Sequence, residues 1–146
     1  MSQLPRPALV LDTNVVLDWL LFDDPSAAPL AAAIVLRQVR WVATVAMRDE
    51  FAEVLRRGLA AQRNADPATL LADWGAHAGI LAEPARLPAS VPLHCSDPDD
   101  QKFLDLAHAA GATWLLSRDR AVLRLARRAA RFGIGIGVPE RWVLGA

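Results

Sequence analysis

One cysteine, Cys95, stands in 146 residues, so no disulfide can form within the chain and a reducing compartment suits it. One lysine, Lys102, leaves arginine to carry nearly all the positive charge. Arginine suits phosphate contacts, although an arginine- and alanine-favouring genome explains the bias as simply. Formal net charge is zero, from 16 basic and 16 acidic residues, which removes a global basic field as an argument for a polyanionic partner but leaves room for a local basic patch. The longest apolar run, residues 27–36, contains Pro29 and stops at Arg37, too short to cross a bilayer. The N-terminus has no charged lead followed by an apolar core, so no secretory signal is expected. Zinc-ligand spacing of Cys and His is also missing, and His77, His94 and His108 read as structural. Together these absences point to a soluble, cytoplasmic protein without membrane contact.

What is present is a chain with 53% hydrophobic and 22% charged residues, a globular composition and the length of one domain, residues 1–146. Ala8-Leu9-Val10-Leu11 runs straight into Asp12-Thr13-Asn14. An unbroken apolar run of this length reads as a strand buried on both faces. Ligands of parallel sheets bind beyond the carboxyl ends of the strands, which places Asp12 where chemistry is expected. Asp12 or Thr13 can equally cap the helix that follows.

The rest alternates. Helices are expected over 15–22, 26–38, 47–57, 67–78, 98–110 and 120–131, and strands over 41–43, 80–82, 113–116 and 134–138. Gly58 suits the end of the third helix, and Gly135 and Gly137 interrupt the last strand. This order implies a three-layer α/β/α domain with a mainly parallel central sheet of four to five strands.

Helical phase sorts the acids. At about 100° per residue, Glu50 falls beside Met47, Phe51 and Val54 on the margin of the buried stripe, while Asp49 and Glu53 face away. Asp100 shares a face with Phe103, Leu104 and Ala107, while Lys102 and Asp105 point away. Asp97 is explained as an N-cap with Pro98 at the first helical position, and Asp99 as compensation of the helix dipole. Asp119 ends the wholly apolar run 113–116 through Ser117-Arg118. Asp12, Glu50, Asp100 and Asp119 can therefore converge. Carboxylates about 4 Å apart repel by roughly 1 kcal/mol in water and about 4 kcal/mol at an effective dielectric of 20, so such a cluster calls for protons or a cation. Oxygen ligands suit Mg²⁺ or Mn²⁺.

In order and spacing these segments resemble the PIN-domain nucleases over almost the full length. Leu9-Val10-Leu11-Asp12-Thr13-Asn14 is similar to the family's opening motif, and residues 44–55 to the segment carrying its Glu. Residues 97–107, opening Asp97-Pro98-Asp99-Asp100, resemble the DPDD-type helix start of one subgroup. Gly111-Ala112-Thr113 and Ser117-Arg118-Asp119 complete the series. The resemblance implies metal-dependent cleavage of single-stranded RNA, with Asp12, Glu50, Asp100 and Asp119 as catalytic acids holding Mg²⁺ or Mn²⁺, and Asn14 and Ser117 orienting them. It also implies a VapC-like toxin, usually a homodimer, inhibited by a small antitoxin. The family often has a further acid two residues after the fourth, where this chain has Ala121, which bears on a second metal site and not on the first.

Arg120, Arg124, Arg127, Arg128 and Arg131 recur at spacings of three and four. Beside a metal site such a stripe, Arg120 and Arg124 foremost, can follow an RNA backbone; it is equally the solvated face of an amphipathic helix. The five tryptophans read as core or dimer contacts, and Cys95 as a small buried residue. Two other readings bear on the same residues. One is a phosphoryl-aspartate phosphatase, disfavoured because Asn14 stands where its second Asp belongs; the other is a catalytically silent PIN domain that binds RNA or protein.

Overall fold

The computed structural model describes residues 6–145, so the extreme ends of the expected 1–146 domain, including the first five residues of the segment read for a secretory signal, lie outside the described residues. Five short strands, β1 (Ala8–Leu11), β2 (Arg40–Ala43), β3 (Ala78–Ile80), β4 (Trp114–Leu116) and β5 (Gly135–Gly137), form one sheet in the order β3-β2-β1-β4-β5. Every pairing is parallel, as the wholly apolar runs imply. Parallel neighbours need crossovers, and helices supply them: α1 (Thr13–Leu20) and α2 (Ala28–Val35) before β2, then α3 (Val45–Val54), α4 (Ala60–Gln62) and α5 (Pro67–His77) before β3. α6 (Gln101–Ala109) leads to β4, and α7 (Arg120–Leu123) with α8 (Ala126–Ala130) leads to β5.

The strand order has a direct consequence. From β1 the chain steps outward to β2 and β3, then returns across β1 to add β4 and β5 on its other side. With right-handed crossovers, α1, α3 and α5 pack together on one face, while α6 packs on β1 and β4, and α7 and α8 pack on β5. The progression therefore reverses between β1 and β4, and the crevice of such a sheet opens at that point, beyond the carboxyl ends of the two strands.

The core sits on both faces. Leu9, Val10, Leu115 and Leu116 are fully buried in the central strands, and Phe51 and Phe103 cover them from opposite layers. Trp41 and Trp74 are buried, with ring centroids 5.2 Å apart at 74°, and half-buried Trp19 meets Trp41 edge-on at 5.5 Å. Trp142 is buried as well. Trp114 is half-buried at the start of β4, and its ring occupies the space that a Cβ on Gly135 would need, 2.8 Å away. The glycines that interrupt β5 thus make room for this indole.

Two boundaries differ from expectation and one agrees with it. Gly58 breaks its helix as expected: it takes φ +102° at a kink within Leu55–Leu59, beyond which the chain resumes as α4. A residue without Cβ tolerates that φ, and the bend keeps Leu55 and Ala60 in the core. The basic helix breaks after Leu123, where a tight turn with Leu125 N–H donating to the Val122 carbonyl keeps Leu125 buried. β3 starts at Ala78, two residues early, because α5 stops at His77 and the backbone becomes extended at once. Among the described residues no helix is long and apolar enough to cross a membrane.

Candidate metal centre

The site starts where β1 stops. The Asp12 N–H still donates to the Leu116 carbonyl at 2.9 Å, so Asp12 belongs to the ladder between β1 and β4. Its extended backbone then makes it the N-cap of α1, with Oδ1 accepting from the Asn14 N–H at 3.3 Å. Oδ2 accepts from the Ser117 hydroxyl at 2.7 Å. The cap posed as one alternative on sequence is therefore present, and the same side chain lies where the other alternative needs it, at the carboxyl end of β1. Only the backbone of Asn14 reaches Asp12, and its side chain lies on the surface, so the amide does not orient the carboxylate as expected.

β4 delivers the next two groups. Ser117 is fully buried, its N–H donating to the Gly137 carbonyl at 3.0 Å. Its Oγ faces both acids, donating to Asp12 and accepting from the Asp119 N–H at 3.0 Å. Asp119 caps α7 through the Ala121 N–H at 2.8 Å. Arg118, between them, donates from Nε to Asp18 at 2.5 Å, from Nη2 to Ser26 at 2.7 Å, and from Nη1 to Glu140 at 3.0 Å. Those acids hold its guanidinium above the usual arginine range even though burial alone pulls it down.

The third segment is the 3₁₀ turn Pro98–Asp100 that opens α6, capped by Asp97 through the Asp99 N–H at 3.0 Å. Asp97, Asp100 and Asp119 each place a carboxylate oxygen within 4.8 Å of the others. Asp100 Oδ2 is buried and has no hydrogen-bond partner among the described residues. Burial, first, and the negative charge of Asp12, next, raise the Asp100 carboxyl to about 7, helped by its contact with Asp119 and by the charge of Asp97. Asp12 is raised too, chiefly by burial and further by the charges of Glu50 and Asp119, against the lowering effect of the Ser117 and Asn14 hydrogen bonds. Such crowding of acids in a crevice makes this a candidate functional site.

Glu50 stands at the margin. Thr13 Oγ1 donates to its Oε2, and the Lys102 ammonium lies 3.0 Å from Oε1. Lys102 therefore does not point away from the site, as helical phase suggested. Arg120 and Arg124 are exposed, as are Arg127, Arg128 and Arg131. Thr13, Asp97, Lys102 and Arg118 are the site residues that sequence reasoning passed over, and only Asp97 carried a local signal, its place in Asp97-Pro98-Asp99-Asp100.

The family model for the PIN domain matches residues 8–121, from β1 to the start of α7. The chain belongs to the PIN-domain family. Asp12, Glu50, Asp97, Asp100 and Asp119 all fall inside the matched stretch, and the parallel sheet with its reversal at β1 and β4 fits the fold. No curated protein is significantly similar to the chain. PIN domains are generally metal-dependent nucleases, and the donor set of this one fits a hard divalent cation: oxygens only, one of them buried without a partner, among mutually repelling carboxylates.

Proposed function

We propose that this PIN domain is a metal-dependent endoribonuclease that hydrolyses RNA phosphodiester bonds at the crevice between β1 and β4. The Asp100 carboxylate, with Oδ2 buried and unpartnered and its group beside those of Asp97 and Asp119, supports the reading. Asp97, Asp100 and Asp119 would hold a Mg²⁺ or Mn²⁺ ion, with Asp12 behind them fixed by Ser117. Such an ion, when bound, lowers the pKa of its water and stabilises charge on a phosphate. The chain itself holds the acids at defined angles through three helix caps and one buried hydroxyl, and it seals their inner side with the apolar ends of β1 and β4. Exposed Arg120, next to Asp119, and Arg124, one turn of helix further on, would neutralise the phosphates of a strand entering the crevice.

The likeness to the DPDD subgroup and the size of the chain support a toxin of a toxin–antitoxin pair, a cytoplasmic homodimer silenced by a small antitoxin protein. The presence of every acid of the series speaks against a silent domain.

A mixed single-stranded RNA pool incubated with Mg²⁺ or Mn²⁺, beside Asp100→Asn, tests the reading. Metal-dependent cutting that the variant loses supports it. Intact protein that binds Mn²⁺ yet cuts no RNA overturns it in favour of a binding module.

A further inference from the structure

Glu50 has no free oxygen. Thr13 holds Oε2, and Oε1 faces the Lys102 ammonium at 3.0 Å. Both partners of that ion pair are about three-quarters shielded from solvent, at 26% exposure for Lys102 and 31% for Glu50. Lys102 is further held by the Asp99 carbonyl and by the Phe103 ring, 4.9 Å from its ammonium. Three groups, from α3, the 3₁₀ turn and α6, thus fix one amine beside the acids, and Thr13 of α1 braces the first of them.

The identity of that amine is informative. Among 16 basic residues it is the only lysine. An ammonium is a compact point charge with donors in three directions, whereas a guanidinium is a planar fork. The position next to the acid cluster is the one place where the chain uses the former. The charge of Glu50 acts on Asp12, which lies behind the three acids that would hold a cation, so the ammonium stands at the edge of the same acid cluster. On the other flank, two residues after Asp119, Ala121 donates its N–H to that carboxylate and offers no side-chain oxygen for a second ion.

Resting on the metal-dependent nuclease reading, we propose that Lys102 is the second cation of this site. Its ammonium supplies fixed positive charge beside a single divalent ion, and Glu50 is the holder of that lysine, not a ligand of the metal. Two-cation phosphodiester sites stabilise charge from both sides of the phosphorus; here one of the two charges is covalently part of the chain.

Mn²⁺ titration followed by electron paramagnetic resonance, with RNA cleavage measured in parallel, separates this from the alternatives. The wild type binds one Mn²⁺ per chain. Lys102→Met binds that ion as tightly or more tightly, because a neighbouring positive charge is gone, yet cleaves about a hundredfold more slowly. A merely structural lysine would lower both. Lys102→Arg recovers part of the cleavage, and Glu50→Gln weakens affinity for the ion only by the few-fold that loss of a nearby charge brings, not by the loss that removal of a ligand brings. Two ions on the wild type, weaker Mn²⁺ binding by folded Lys102→Met, or loss of binding in Glu50→Gln each overturns the proposal. A wild type that binds no Mn²⁺ overturns the nuclease reading as well, a result distinct from all of these.

Discussion

The Ser117 hydroxyl joins Asp12 to Asp119: it donates to the Asp12 carboxylate at 2.7 Å and accepts from the Asp119 N–H at 3.0 Å. One oxygen thereby couples the ends of β1 and β4 across the reversal of strand order. Because Ser117 is fully buried, no water can take its place without rearrangement.

Ser117→Ala should therefore cost about 1–3 kcal/mol of stability, the penalty for leaving a buried charged acceptor short of a partner. Groups that orient metal ligands typically account for about 10–100-fold in affinity or activity, and the same loss is expected in Mn²⁺ binding. Asn14→Ala is the control. Its side chain does not reach Asp12, so thermal unfolding and Mn²⁺ titration should both match the wild type.

Asp100→Asn is expected to move stability and function in opposite directions. The carboxylate is crowded by Asp12, Asp97 and Asp119 and has one buried oxygen without a partner. A neutral amide of the same shape removes the repulsion and offers donors to its neighbours. In EDTA the variant should be about 1–2 kcal/mol more stable than the wild type, the usual return for relaxing a strained site. Saturating Mn²⁺ should reverse the ranking, since only the wild type gains stability from the ion. Thermal denaturation with and without the metal reads both arms.

The acid cluster also sets the pH dependence of the metal-free protein. Asp100 titrates near 7 in the fold against 3.8 for an ordinary Asp, and Asp12 is shifted in the same direction. Between those values the folded chain holds more protons than the unfolded one, so stability falls as pH rises from about 4 to about 7 and then levels off. The slope is at most about 1.4 kcal/mol per pH unit for each proton involved. Mn²⁺ affinity runs the other way, rising until Asp100 is ionised. Melting temperatures in EDTA and in Mn²⁺ between pH 5 and 8 should therefore converge at the acid end and separate towards pH 8, and Asp100→Asn should flatten the EDTA series.

Local rules place Asp12, Asp119 and Asp100 in the sequence: a residue ending a buried strand stands at the crevice, and helical phase turns Asp100 toward Phe103 and Ala107, whereas Ser117 comes only from the family resemblance. Asp97 is the N-cap that its place before Pro98 implies; that its carboxylate also lies beside those of Asp100 and Asp119 depends on the fold, and capping alone does not reveal it. Lys102 escaped because phase counts the direction of Cβ, whereas a four-carbon side chain on the neighbouring face can fold back over the start of its own helix. Thr13 and Arg118 left no trace, since their partners lie 37 and up to 100 residues away and only the assembled sheet brings them together. The split of the basic helix was equally invisible, as it follows from burying Leu125 against the sheet.

Arg118 yields the last prediction. Its guanidinium ties the turn carrying Ser117 and Asp119 to α1 through Asp18, to the following turn through Ser26, and to Glu140 in the C-terminal 3₁₀ turn Pro139–Arg141. Three segments distant in sequence converge on one planar fork, and its side chain is 30% exposed. Solvent weakens each ion pair, yet their common donor makes the losses additive on removal. Arg118→Ala should lower stability by about 1–3 kcal/mol and loosen the Ser117–Asp119 turn, so Mn²⁺ affinity falls with it. Arg118→Lys keeps the charge but has one nitrogen where three are used. It should therefore recover little of either quantity. A lysine variant with wild-type melting temperature and Mn²⁺ affinity would show that charge alone, and not the three-way fork, holds the turn in place.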